Sequence, residues 1–212
     1  MKNKKCKTKL ALSPKKPPMQ FTKMIEFLFE TGRERLRELL RAIDVSILCD
    51  EKGLRLRHEQ TESQQYKEAL EEDAWLLREV IKLSRQLVIV GLFSLVEREV
   101  KRLARWVFAD VPEKTMLGEI YCALREERIF DDKKTKAFKD KDELRLLNNA
   151  IKHHGGIVSA ELAGKYNRWI LDQEINVTDS DIDKYFESVR DYLSEYSGKI
   201  DRFLAEAQTL KS

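Results

Sequence analysis

The stretch from Glu143 to Gly156 gathers the side chains best suited to chemistry in this 212-residue chain: Arg145, Asn148, Asn149, Lys152, His153 and His154. On a helix, successive residues turn by about 100°, so Leu144, Leu147 and Ile151 share one side and are expected to face a core. Arg145, Asn149 and His153 stand four apart and form a ladder on an adjoining face. Lys152 lies beside that ladder, and Asn148 sits at its boundary with the apolar stripe. A histidine titrates near neutrality and can take a proton from a ribose 2′-hydroxyl, while Arg145 or Lys152 can stabilise a charged phosphate. Asn149 can orient either participant. The same residues also admit a purely structural reading. A histidine just before Gly155 and Gly156 complements the negative end of a helix dipole, and mid-helix asparagines bond neighbouring turns. His153 and His154 point about 100° apart, which does not give the paired face that zinc needs, so no metal site is expected.

The elements that must position this segment read as helices. The chain has only 8 Gly and 4 Pro, and Pro14, Pro17 and Pro18 all fall near its start, which leaves too little turn punctuation for a multi-stranded sheet. A first helix is predicted from Phe21 to about Cys49, stopped by Asp50 to Gly53, with a polar connection through Gln60. A longer one runs from Thr61 or Ser63 to Phe108 as a central spine, and Gly91 within it marks either a close approach, a bend or a harmless core position. Further helices are expected over Met116–Leu124, Asp142–His154 and Ser159–Asp172, with a long closing helix started by Thr178 to Asp181. The segment Asp131–Asp142, with five lysines and four aspartates, reads as an exposed loop or helix approach with a solvated face. Trp75, Trp106, Trp169, Tyr185, Phe186 and Tyr192 lie in amphipathic patterns and are expected to pack in the core rather than stack on bases.

Charge is high but balanced, 40 Lys+Arg against 37 Asp+Glu, so no global field points to nucleic acid. The basic excess is local: residues 1–20 carry seven lysines and no acid, and are read as a flexible, solvated tail. Cys6, Cys49 and Cys122 are odd in number and form no CxxC pair, which fits a reducing compartment. The longest apolar run, Leu87–Val96, is about half of the ~20 residues that span a bilayer. Export and a membrane span are therefore not expected, and the cytoplasm is the expected location. Nor does any Walker loop, Rossmann fingerprint, zinc-finger spacing or Ser-His-Asp arrangement call for a cofactor.

The run Asn148, Asn149, Ala150, Ile151, Lys152, His153 resembles the motif of HEPN domains, an arginine and a polar residue followed after a short gap by histidine. A second echo is Leu92 to Glu97, similar to the acid those domains place in a phenylalanine-containing helical stretch. The similarity covers roughly residues 60–205 by pattern. The family's arginine position is occupied here by Asn148, and Arg145 lies one turn earlier. Length and composition favour a single domain over 21–212, and the resemblance implies an all-α, up-down bundle of about five or six helices. It also implies a homodimer in which the helices bearing Asn148–His153 approach each other. For function it implies an RNA-directed protein, a metal-independent endoribonuclease of a toxin–antitoxin or defence system. In that reading His153, Asn149 and Asn148 are the catalytic set, Arg145 and Lys152 hold phosphate, and Glu97 orients His153 or Lys152. The replaced arginine leaves two alternatives open: a catalytically inactive helical module for dimerisation or partner binding, and a nucleotide-binding helper of a separate nucleotidyltransferase.

Overall fold

A computed structural model describes residues 10–15 and 20–209, and over them the protein is an all-α helical bundle. The helices, in chain order, are α1 (Phe21–Gln60), α2 (Gln64–Val107), α3 (Leu117–Glu126), α4 (Phe138–His153), α5 (Ala160–Lys165) and α6 (Asp179–Thr209). The described residues form two compact units, those up to residue 30 with 92–145 and 184–209 in the first, and residues 31–91 and 146–183 in the second. α1, α2, α4 and α6 each contribute to both.

The first unit has a dense aromatic core. Tyr185, Phe186, Tyr192 and Tyr196 of α6 are at most 1% exposed, as are Phe21 and Phe29 of α1 and Phe108. Phe130 stands edge-on to Tyr192 and Tyr196, with ring centroids 6.0 and 5.0 Å apart. Such pairs add attraction beyond the area they bury. α1 is anchored at its start by α6: Asp201 accepts hydrogen bonds from the backbone amides of Phe21 and Thr22 at 2.9 and 3.0 Å, satisfying donors that a helix N-terminus leaves open. The described part of the basic tail is ordered against the end of α2. Leu12 bridges Phe108, the Ser13 amide donates to the Val107 carbonyl at 2.8 Å, and Leu10 is buried. The expectation of a flexible tail is thus corrected for residues 10–15, whose backbone finds partners at a helix end; residues 1–9 and 16–19 lie outside the described residues.

The second unit is built on an antiparallel hairpin of α1 and α2. The expected stop at Asp50–Gly53 does not occur, and α1 runs on to Gln60. The reason is the neighbouring helix: Leu54 is buried, His58 pairs with Glu71 at 3.5 Å and Asp44 with Arg85 at 3.8 Å, so tertiary contact holds a stretch whose polar, glycine-containing sequence favours a turn. Gly91 is exposed and a Cβ there would meet nothing within 4 Å, which leaves no close approach for it to permit. The helix expected over Ser159–Asp172 ends at Lys165. Beyond it the chain turns back on itself, with the Val158 amide donating to the Gln173 carbonyl at 2.8 Å and the Ile175 amide to the Gly156 carbonyl at 2.7 Å. Trp169, Ile175 and Val177 are buried by this fold-back, at spacings no single helical stripe supplies. α6 starts as expected, since Thr178 and Asp181 cap each other reciprocally: the Asp181 amide donates to the Thr178 hydroxyl at 3.2 Å and the Thr178 amide to the Asp181 carboxylate at 3.0 Å.

Candidate functional site

α4 begins at Phe138, four residues earlier than expected, and ends at His153. Its C-terminus is built by the two glycines. Gly155 and Gly156 have φ of +60° and +79°, the left-handed region in which a Cβ is unfavourable, and the Gly156 amide returns to the Ala150 carbonyl at 3.2 Å. Gln86 of α2 closes the cap. Its side-chain amide donates to the Ile175 carbonyl at 3.1 Å, and a Cβ on Gly156 would come within 3.0 Å of that same amide nitrogen.

Within α4, Leu144 and Leu147 are fully buried, as the helical spacing requires, whereas Ile151, expected on the same side, is only half-buried and Ala150 beside it is enclosed instead. Asn148 goes with them, being only 3% exposed. Its side-chain amide donates to the Asn149 oxygen at 3.4 Å, and its own Oδ1 is buried without a hydrogen-bond partner. Asn149 is half-buried, while Lys152, His153 and His154 are exposed around the last turn. Arg145 is half-buried and engaged by Asp142 one turn earlier, with its Nε donating at 2.9 Å. Glu97 is half-buried on α2. Arg145 and Glu97 belong to the first unit, whereas Asn148, Asn149, Lys152 and His153 belong to the second. Within the second unit the structure therefore assembles a short exposed cluster of one lysine and two histidines beside a buried asparagine. Such a cluster can attract phosphate and exchange a proton.

Sequence reasoning missed a second group of titratable side chains. Asp132 and Lys141, read as parts of a solvated face, are both buried and pair at 3.2 Å. The Lys141 ammonium also stands 4.6 and 4.8 Å from the ring centroids of Tyr121 and Tyr192. Burial lowers the Lys141 ammonium from its usual range, and Asp132 acts in the opposite direction. Burial also raises the hydroxyls of Tyr121, Tyr192 and Tyr196. The signal available in sequence was the spacing of Phe138 and Lys141, three apart, which puts this lysine on the same face as an aromatic. A run of alternating charges conceals that. Trp75 is a further correction: it is 55% exposed on α2 rather than packed in the core.

Among the described residues, no group of three or more His, Cys, Asp or Glu is arranged to hold a metal ion, and no helix is long and apolar enough to cross a membrane. No family model matches the chain, and no curated protein or solved structure matches it at a significant level.

Proposed function

We propose that this chain is a HEPN-like helical interaction module that pairs with a second copy of itself through the outer face of α2. The observation that carries the reading is a stripe of exposed apolar residues, Leu76, Val80, Leu83 and Leu87, which are 53%, 48%, 52% and 68% exposed at alternating spacings of four and three. That period is the seam of paired helices. These side chains expose on the order of 400 Å², at the scale at which a patch marks an interaction site; two copies with flanking residues such as Trp75 approach the ~1,200 Å² lower bound of specific interfaces. The buried Asn148 supports the same reading. An asparagine enclosed in the helix packing, where the resembled motif carries a cation, serves structure rather than phosphoryl chemistry.

The test is the mass of the purified chain in solution by light scattering, for wild type and for Leu83→Lys. A dimeric wild type and a monomeric variant of unchanged helicity are expected. A wild type that stays monomeric at its highest soluble concentration overturns the reading.

One observation favours an RNA-directed activity: Lys152, His153 and His154 are exposed together at the end of α4. In that reading His153 moves the proton of a ribose hydroxyl, Lys152 holds the phosphate, and the chain is a weak metal-independent endoribonuclease of a cytoplasmic toxin–antitoxin or defence system. Cleavage in the presence of chelator that is lost in His153→Ala is the expected result. Equal cleavage by wild type and His153→Ala removes it.

A further inference from the structure

In the first unit, the turn after α3 and the face of α6 enclose an open cleft of about 400 Å³. That size suits a small-molecule site. Its wall carries Arg125, Arg128, Lys134 and Lys199 against the carboxylates of Asp131 and Glu195, and its floor includes Phe130, which is 4% exposed. The acids do not neutralise the bases evenly. Asp131 is already engaged, by Arg125 at 3.1 Å and Lys134 at 3.8 Å, and Arg125 also pairs with Asp132 at 3.0 Å. Among the described residues, Arg128 and Lys199 have no carboxylate within ion-pair distance, and both are exposed. Two unpaired cations from different elements, Arg128 and Lys199, thus meet, among the described residues, the single unpaired carboxylate of Glu195 in a cleft whose other charges, Arg125, Asp131 and Lys134, are committed to ion pairs.

Arg128 carries a second, independent sign. Its φ is +58°, left-handed backbone in which a glycine would sit without strain. The turn needs that conformation, because the Ile129 amide returns to the Leu124 carbonyl at 2.9 Å. A long cationic side chain therefore occupies a position where folding alone favours glycine. Backbone strain of this kind concentrates at ligand clamps.

We infer that this cleft binds a phosphorylated small molecule of mononucleotide size. Arg128, Lys134 and Lys199 receive the phosphate oxygens, the Phe130 floor borders the apolar part, and Glu195 accepts from a ligand hydroxyl or amine. The site lies outside the α4 segment and is independent of self-association through α2.

The strained arginine makes the test unusually clean, since Arg128→Gly removes the cation and relieves the backbone together. Titration calorimetry of the full chain with ADP, and separately with adenosine, is paired with thermal unfolding of the free proteins. Saturable ADP binding is expected, weakened at least tenfold in Arg128→Gly and in Lys199→Gln, with no binding of adenosine; unliganded Arg128→Gly melts at or above wild type. Absence of saturable ADP binding, or equal affinity in wild type and Arg128→Gly, overturns the inference.

Discussion

The first unit encloses a dense apolar core, with Phe27 and Met116 left outside it, and the second leaves much of its own apolar surface open. In the first, α6 lays Tyr185, Phe186, Val189, Tyr192, Leu193, Tyr196 and Ile200 into a core where all are at most 1% exposed. In the second, α1 and α2 run beside each other with Ile47, Leu54 and Leu70 as their buried seam, while Leu39, Val45, Leu48, Leu76, Leu83 and Leu87 each remain more than half exposed. Both regions are helical and rich in leucine, so composition does not separate them. Coverage does. A helix enclosed by several neighbours buries residues at nearly every turn position, whereas a helix with one neighbour buries only a narrow stripe. The proposed self-association draws on the open region and the proposed small-molecule recognition on the enclosed one.

The largest expected effect comes from truncating matched residues in the two units. Phe130→Ala should cost about 3–5 kcal/mol, the range for an aromatic removed from a packed core. Leu83→Ala should change stability by less than about 0.5 kcal/mol at dilute protein, as surface substitutions do, and by more as concentration rises if α2 pairs. Urea unfolding at two protein concentrations reads both, and equal losses would erase the contrast between the units.

Alkaline pH should weaken the enclosed unit. Folded Tyr121, Tyr192 and Tyr196 all hold their protons above the ordinary tyrosine range. Their stabilisation is therefore complete below the unfolded value near pH 10 and is lost as pH rises through the folded ones, because the unfolded chain then binds fewer protons. Lys141 acts oppositely: its folded value is lowered, so its contribution improves as pH rises towards the ordinary lysine range. Three raised hydroxyls outweigh one lowered ammonium, and a net fall in stability is expected between pH 9 and about pH 11. Tyr192→Phe should flatten that fall, read by denaturant midpoints across the pH series.

Gly156→Ala tests a tight joint of the open unit. The left-handed φ and the contact with Gln86 together predict a loss of about 1–2 kcal/mol, with the fold-back over residues 157–175 becoming more readily exchanged in amide hydrogen exchange. Asn148→Leu should have the smallest effect. Its Oδ1 is buried without a partner, so an apolar residue of similar volume there is expected to be neutral to stabilising within about 1 kcal/mol in a melting curve. A large loss would instead reveal that the asparagine's polarity holds the end of α4.

The limits of α2, the short α3, the Gly155–Gly156 stop and the Thr178–Asp181 cap were all legible from residue order. Each rests on local chemistry: a helical period, a residue tolerant of positive φ, or a reciprocal cap. The candidate segment on α4 was legible in the same way as a ladder of polar groups. The burial of Asn148 was not, because a boundary position turns inward or outward according to which neighbours surround the helix. Asp132 and Lys141 were concealed similarly. Within a run of lysines and aspartates nothing local distinguishes the pair that becomes enclosed from those left in water.

By itself, then, the sequence determined that this protein is helical, where most of its helices begin and end, and which side chains line one face of α4. Those follow from periodicity and capping within a few residues. Tertiary structure alone decided that α1 continues through Asp50–Gly53, that the apolar stripe of α2 stays exposed, and that Arg125, Arg128, Lys134 and Lys199 meet around one cleft. Each of these depends on which segments far apart in the chain are brought together, and burial and charge pairing are properties of that assembly rather than of any one segment.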